Sequence, residues 1–208
     1  MRKLWWNSAG RIAKASCICM VAGASVGFGQ SVSADGVSGA CGRNFVPNVI
    51  TIDGDVNFPT ILTVPQLKAL PGQQTLNIAF LNHLGVPQTH SETGPSLWTV
   101  LSIAAGGIKA PPPTKNEYVN EPAKQTTLYV AIVATDGYET VVAEAEIDPG
   151  FGNAPILLAH TEDGEPLSKV PYTSSEYKGP AQLVVPTDTH GGRYANQICL
   201  IRVRNGAL

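Results

Sequence analysis

From residue 49 onward, short apolar runs alternate with turn-forming residues at spacings that suit strands and short helices. Val49-Ile50-Thr51-Ile52 is β-branched and runs into Asp53-Gly54-Asp55, a strand closing on a turn. Thr63 stands where a helix cap belongs, with Pro65 in the first turn, Leu67 and Leu70 as apolar positions, and Pro71-Gly72 as the stop. Residues 75–81 form an apolar, strand-like run, whereas 82–93 are polar, contain proline, follow neither period and predict a loop. Pro95 and Ser96 open a second helix whose Leu97, Trp98, Val100, Leu101 and Ile103 make an apolar side until Gly106-Gly107 ends it; Trp98 reads as core.

Residues 109–125 read as an insertion, with prolines at 111–113 favouring extended polyproline geometry. Residues 128–134 and 138–143 are apolar strands flanking Thr135-Asp136-Gly137, the strongest hairpin signal in the chain. Three more strands are predicted at 156–160, 181–186 and 197–203. Many strands, few short helices and no internal repeat predict a mixed, β-dominated α+β domain.

Composition adds a processing signal. Arg2, Lys3, Arg11 and Lys14 precede an apolar, small-residue stretch and the cleavage-like Val32-Ser33-Ala34, so 1–34 read as a secretory signal peptide and the chain is expected in the periplasm. The apolar stretch is too short and glycine-broken for a membrane span of roughly 20 residues. Residues 35–48 read as a flexible lead-in and 49–208 as one domain. Without 1–34, net charge moves from -2 to -6, with 10 basic residues against 16 acidic, which disfavours nucleic acid. Cys41 and Cys199 then remain. An oxidising compartment readily joins such a pair; the alternative is a buried Cys199 and a mobile, unbridged Cys41.

The segments at 63–71 (TVPQLKALP), 94–101 (GPSLWTVL) and 134–138 (ATDGY) follow one another in an order similar to the sulfite-oxidase-type molybdopterin-binding domain. So do Leu157-Leu158-Ala159-His160 with Asp163-Gly164-Glu165-Pro166-Leu167, and Gly179-Pro180 leading to Leu183-Val184-Val185-Pro186. The resemblance covers about residues 49 to 204 and implies a sulfite-oxidase-like fold. In enzymes of the family a cysteine after the strand matching 75–81 ligates molybdenum; here that stretch is Asn77-Ile78-Ala79-Phe80-Leu81-Asn82. The family's phosphate-holding Arg and Lys fall at Gln182 and Asn196, while Arg193 keeps one basic match.

With those residues lost, the chain resembles the cysteine-lacking, PruR-type periplasmic pterin-binding proteins. That resemblance implies a reduced pterin as ligand, no tightly bound cofactor, no catalysis, and a partner that is an inner-membrane protein of cyclic-di-GMP metabolism. The alternative is a molybdopterin-dependent oxidoreductase or accessory protein with atypical metal ligation. Asp136 and Tyr138 sit on the hairpin that lines the family's pocket, where a carboxylate suits the donor edge of a pterin and an aromatic ring suits its face.

The candidate ligand-binding set is Asn82, His83, Asp136, Tyr138, His160, Tyr177, His190 and Arg193. His83 faces either the pocket or solvent, and His90 reads as surface. His160 is either a pocket-rim donor or structural, and Tyr172 and Tyr177 belong to a lid or a surface loop. His190 and Arg193 lie in a Gly-rich turn that suits an anion or a carbonyl, or a plain chain reversal. The histidines show no recognised metal spacing, so no metal ligand is assigned. No nucleophile elbow, phosphate loop or dinucleotide fingerprint occurs.

Overall fold

The computed structural model describes Cys41, residues 46–109 and residues 127–206. The segment 1–34 read as a signal peptide, most of the 35–48 lead-in and nearly all of the 109–125 insertion lie outside the described residues. No described helix is long and apolar enough to cross a membrane.

The strand β1 (Val49–Gly54) alternates buried and half-buried positions, and Ile50 and Ile52 enter the core. It pairs antiparallel with β2 (Thr60–Thr63), a strand with no independent signal in the sequence, and parallel with the C-terminal strand β11 (Ile198–Asn205). In turn, β11 pairs antiparallel with β5 (Leu128–Ala134), which forms the expected hairpin with β6 (Glu139–Ala143). The order β2-β1-β11-β5-β6 explains why β5 and β11 read as almost continuous apolar runs: central strands are covered on both faces.

Helix α1 (Val64–Ala69) starts as the sequence predicts, with Thr63 and Gln66 forming a reciprocal capping box: the Thr63 N–H donates to Gln66 Oε1 at 2.9 Å, and the Gln66 N–H donates to Thr63 Oγ1 at 3.4 Å. Helix α2 (Leu97–Thr99) is capped by Ser96 and widens into a π-helical turn at Val100–Ala104, a change of hydrogen-bond register that apolar spacing does not reveal. Leu67, Leu97 and Leu101 pack with Ile50, Ile132 and Ile201 in the main core, and Trp98 packs against its side half-buried.

Of the segment predicted as a loop, 82–86 is a turn, but 87–93 is instead a strand. From Gln74 to Leu81, β3 pairs in full register with β4 (Pro87–Gly94), from Gln74 opposite Gly94 to Leu81 opposite Pro87. The residues of β4 are too polar to show a period, and partner pairing overrides their weak intrinsic preference. Asn82 shapes the connection: its Oδ1 accepts the N–H groups of Leu84 and Val86 at 2.9 and 3.0 Å. Two-residue strands β8 (Thr161–Glu162) and β9 (Glu165–Pro166) extend this sheet to β3-β4-β8-β9, while β7 (Leu157–Ala159) and β10 (Gln182–Val184) form a buried antiparallel pair.

Helix α3 (Glu144–Ile147), absent from the predicted elements, buries a carboxyl group. Burial, and then the neighbouring Asp148 carboxylate, push Glu144 up to about 7 from its ordinary 4.5. The folded state thus holds this proton more tightly than the unfolded chain does. The contribution is fully present below pH 4.5 and is lost as pH rises through about 7. Glu144→Gln is expected to remove that loss, so the variant should gain on the order of 3 kcal/mol over the parent between pH 4 and pH 8. Urea unfolding of both proteins at the two pH values checks it; a constant difference would rule out Glu144 as the titrating group.

Candidate functional site

A cleft of about 750 Å³ opens where the end of β3, the β5–β6 hairpin turn and the 190–197 segment converge. Its size falls in the range of small-molecule sites. The walls are tied together by backbone: the Leu81 N–H donates to the Thr189 carbonyl at 2.9 Å, and Leu81 bridges to His190 in parallel sense. Across the mouth, the Tyr138 hydroxyl donates to the Gly192 carbonyl and joins the hairpin to the 3-10 turn Gly191–Arg193.

One wall is aromatic. Phe80 stacks on Tyr194 with ring centroids 4.4 Å apart and planes 25° off parallel. Gly191 lies flat against Phe80; a Cβ there would sit 2.7 Å from the ring. Tyr194 donates its hydroxyl proton to the Val185 carbonyl at 2.9 Å, and burial followed by the nearby Asp188 carboxylate pushes it up to about 12. It stays a neutral phenol.

The floor and rim are polar. Asp136 Oδ1 accepts the Tyr138 N–H at 2.9 Å, an Asx turn that leaves the second carboxylate oxygen for the cleft. Gln182, only 5% exposed, has no partner for its Oε1. Gln197 is held by Thr135 at 2.6 Å and by the Tyr177 carbonyl at 2.9 Å. Among the described lining residues there is one carboxylate, two histidines and several amides, and no cysteine, lysine or arginine.

Of the candidate residues, the structure brings Asn82, His83, Asp136, Tyr138 and His190 together around this cleft. The other three lie elsewhere. His160 is a structural strut: its Nε2 donates to Gln73 Oε1 at 3.0 Å and its Nδ1 accepts the Thr161 hydroxyl at 2.8 Å, the tautomer that follows from Gln73 donating its own amide to the Leu67 and Leu70 carbonyls. Burial, then the charge of Lys68, holds His160 below its ordinary value and keeps it neutral.

Tyr177, 3% exposed, turns its hydroxyl to Asn48 at 2.9 Å and meets Tyr172 edge-on, so it is part of the packing. Arg193 is no cation for the cleft: its guanidinium forks onto Asp188 at 2.7 and 2.8 Å and reaches Glu146 at 3.1 Å. Charge-assisted pairing of that geometry claims the fork. Phe80 and Tyr194 were missed as lining residues because strand and loop signals do not say which face meets a cleft; Gln182 and Asn196, matched to the family's phosphate-holding positions, do line it.

Cys41 and Cys199 form a disulfide with a Cα–Cα distance of 5.7 Å.

No protein-family model matches the sequence, and no curated protein matches it. Among solved structures, the chain is similar to the sulfane dehydrogenase SoxCD from Paracoccus pantotrophus, with a TM-score of 0.53 and 16% identity over 77% of this chain and 38% of that one. The chain thus spans well under half the length of that relative. At this identity the likeness is one of fold. With the mixed, β-dominated sheets described above, it establishes the expected α+β, sulfite-oxidase-like architecture.

Proposed function

We propose that this protein binds a pterin ring in the cleft without molybdenum chemistry, and that it works in the periplasm as a signalling partner of an inner-membrane protein of cyclic-di-GMP metabolism. What carries the ligand reading is the cleft lining: an aromatic wall, a carboxylate and amides, with no thiol and no cation among the described residues. The molybdenum cofactor does not fit that lining. Its metal needs a soft donor, and the stretch 77–82 that the resemblance matches to the ligating cysteine has none; its phosphate needs cationic donors where the resemblance places Gln182 and Asn196. A phosphate-free ring needs neither. The partner rests on the resemblance to the PruR-type proteins, and the disulfide is compatible with an oxidising compartment.

The fold likeness to a sulfane dehydrogenase favours a second reading, a molybdopterin-dependent oxidoreductase or accessory protein with atypical ligation. Mass spectrometry of small molecules released from natively purified protein, with metal analysis of the same sample, separates the two. A free pterin without molybdenum is the expected result. Stoichiometric molybdenum would overturn the first reading and leave the second standing.

Asp136 tests recognition at the level of one side chain. An asparagine keeps the oxygen that accepts the Tyr138 N–H but loses the carboxylate. Asp136→Asn is expected to weaken binding of a reduced pterin by roughly 1.5 to 3 kcal/mol, about ten- to a hundredfold, with an unchanged melting temperature. Asp136→Ala should lose the affinity and also some stability. Wild-type affinity in the asparagine variant would show that the carboxylate reads no part of the ring.

A further inference from the structure

A second polar cluster lies behind the aromatic wall, outside the cleft. In the β4–β8 ladder Glu92 stands directly opposite Glu162, and His90, two residues before Glu92, points to the same face. Like charges directly opposite one another are destabilising. Glu92 is 0% exposed, and neither of its carboxylate oxygens has a hydrogen-bond donor. The charged groups that act on it are, in order, Glu162, Lys178 and Asp163. A buried, unpartnered carboxylate set against a second one calls for a cation or a proton between them.

The neighbouring groups have the chemistry of a metal site. His90 Nδ1 lies 2.9 Å from Asp163 Oδ2 and 4.0 Å from Glu162 Oε1, and the three donor atoms fall within 4.8 Å of one another. In a tetrahedral zinc site with bonds of about 2.0 to 2.1 Å, donors sit about 3.3 Å apart, a value that the two shorter distances bracket. Asp163 is oriented for the role, because its other oxygen accepts the Ser91 N–H at 2.8 Å. Sequence spacing could not reveal the group, since His90 and Asp163 are 73 positions apart.

We propose that His90, Glu162 and Asp163, backed by the buried carboxylate of Glu92, bind one divalent metal ion of the zinc type. Lys178 now pairs its ammonium with Glu162, but its side chain is 46% exposed and can leave for solvent. The ion takes over its charge; Glu92, opposite Glu162 and outside the three-donor group, adds negative charge behind the site rather than a ligand atom. Phe80 stands between this site and the cleft, its ring centroid 6.2 Å from that of His90.

Calorimetric titration of zinc chloride into chelator-stripped, full-length protein tests the proposal. One zinc per chain is expected. His90→Gln and Asp163→Asn should each weaken it at least tenfold, Glu92→Gln should weaken it measurably, and Lys178→Ala should leave it equal or tighter because a competing cation is gone. Asp163 and Lys178 are exposed enough for their variants to fold, which near-ultraviolet circular dichroism confirms. Absence of stoichiometric zinc, wild-type affinity in Asp163→Asn, or loss of binding in Lys178→Ala would each overturn it.

Discussion

Replacing Cys41 and Cys199 together by alanine is expected to cost about 2 to 5 kcal/mol, the largest loss of any change considered for this protein. The bridge joins positions 158 residues apart and closes nearly the whole domain into one loop. In the chain-entropy account, a loop of that length stabilises by about 5 kcal/mol, through the unfolded ensemble that it restricts. Cys199 also lies buried beside Val133 and Leu200, within the strand that joins the two halves of the central sheet. At roughly 2 to 4 °C per kcal/mol for a chain of this size, the melting temperature should fall by several degrees to well over ten. A variant that melts with its parent, or parent protein whose melting ignores reductant, would mean that the bridge does not restrain the chain.

Gly94→Ala is expected to be nearly as damaging, at about 3 kcal/mol or more. A Cβ at this position would lie 2.3 Å from the Leu158 carbonyl oxygen and 2.6 Å from the Ala159 Cα, both backbone atoms of β7. No side chain can swing aside to relieve the clash. The two strands are also held in place on either side of the contact, because the His160 N–H donates to the Thr93 carbonyl at 2.9 Å and the Leu158 N–H to the Pro95 carbonyl at 3.0 Å. Gly192→Ala is the internal control: nothing lies within 4 Å of its added methyl group. Urea unfolding of the two variants should therefore diverge sharply, and equal stabilities would contradict the close approach at Gly94.

This contact explains why Gly94-Pro95 was informative in the sequence. The glycine permits one strand to cross another, and the proline carbonyl receives the next hydrogen bond. Other features were legible for equally local reasons. The Thr63 cap, the Thr135-Asp136-Gly137 turn and the apolar runs of β5 and β11 each state their conformation within a few residues. Five cleft residues, Asn82, His83, Asp136, Tyr138 and His190, were reached mainly through the family resemblance, and the structure shows them in or beside turns that bring strand ends together.

What the sequence determined by itself is therefore the set of elements whose torsions and caps are decided by near neighbours, together with the order of motifs that points to the fold. The tertiary structure alone decided that the polar run 87–94 is a strand, since its hydrogen bonds go to β3 and β8. It also decided the direction of long side chains: Arg193 left the cleft for Asp188, five residues away across a turn, and for the distant Glu146, and His160 turned to the distant Gln73, because these offered charged or amide groups at bonding distance. The burial of Glu92 belongs to the same class. It sits between Leu76 of β3 and Glu162 of β8, and the energetic consequence of a buried carboxylate exists only once those strands have paired.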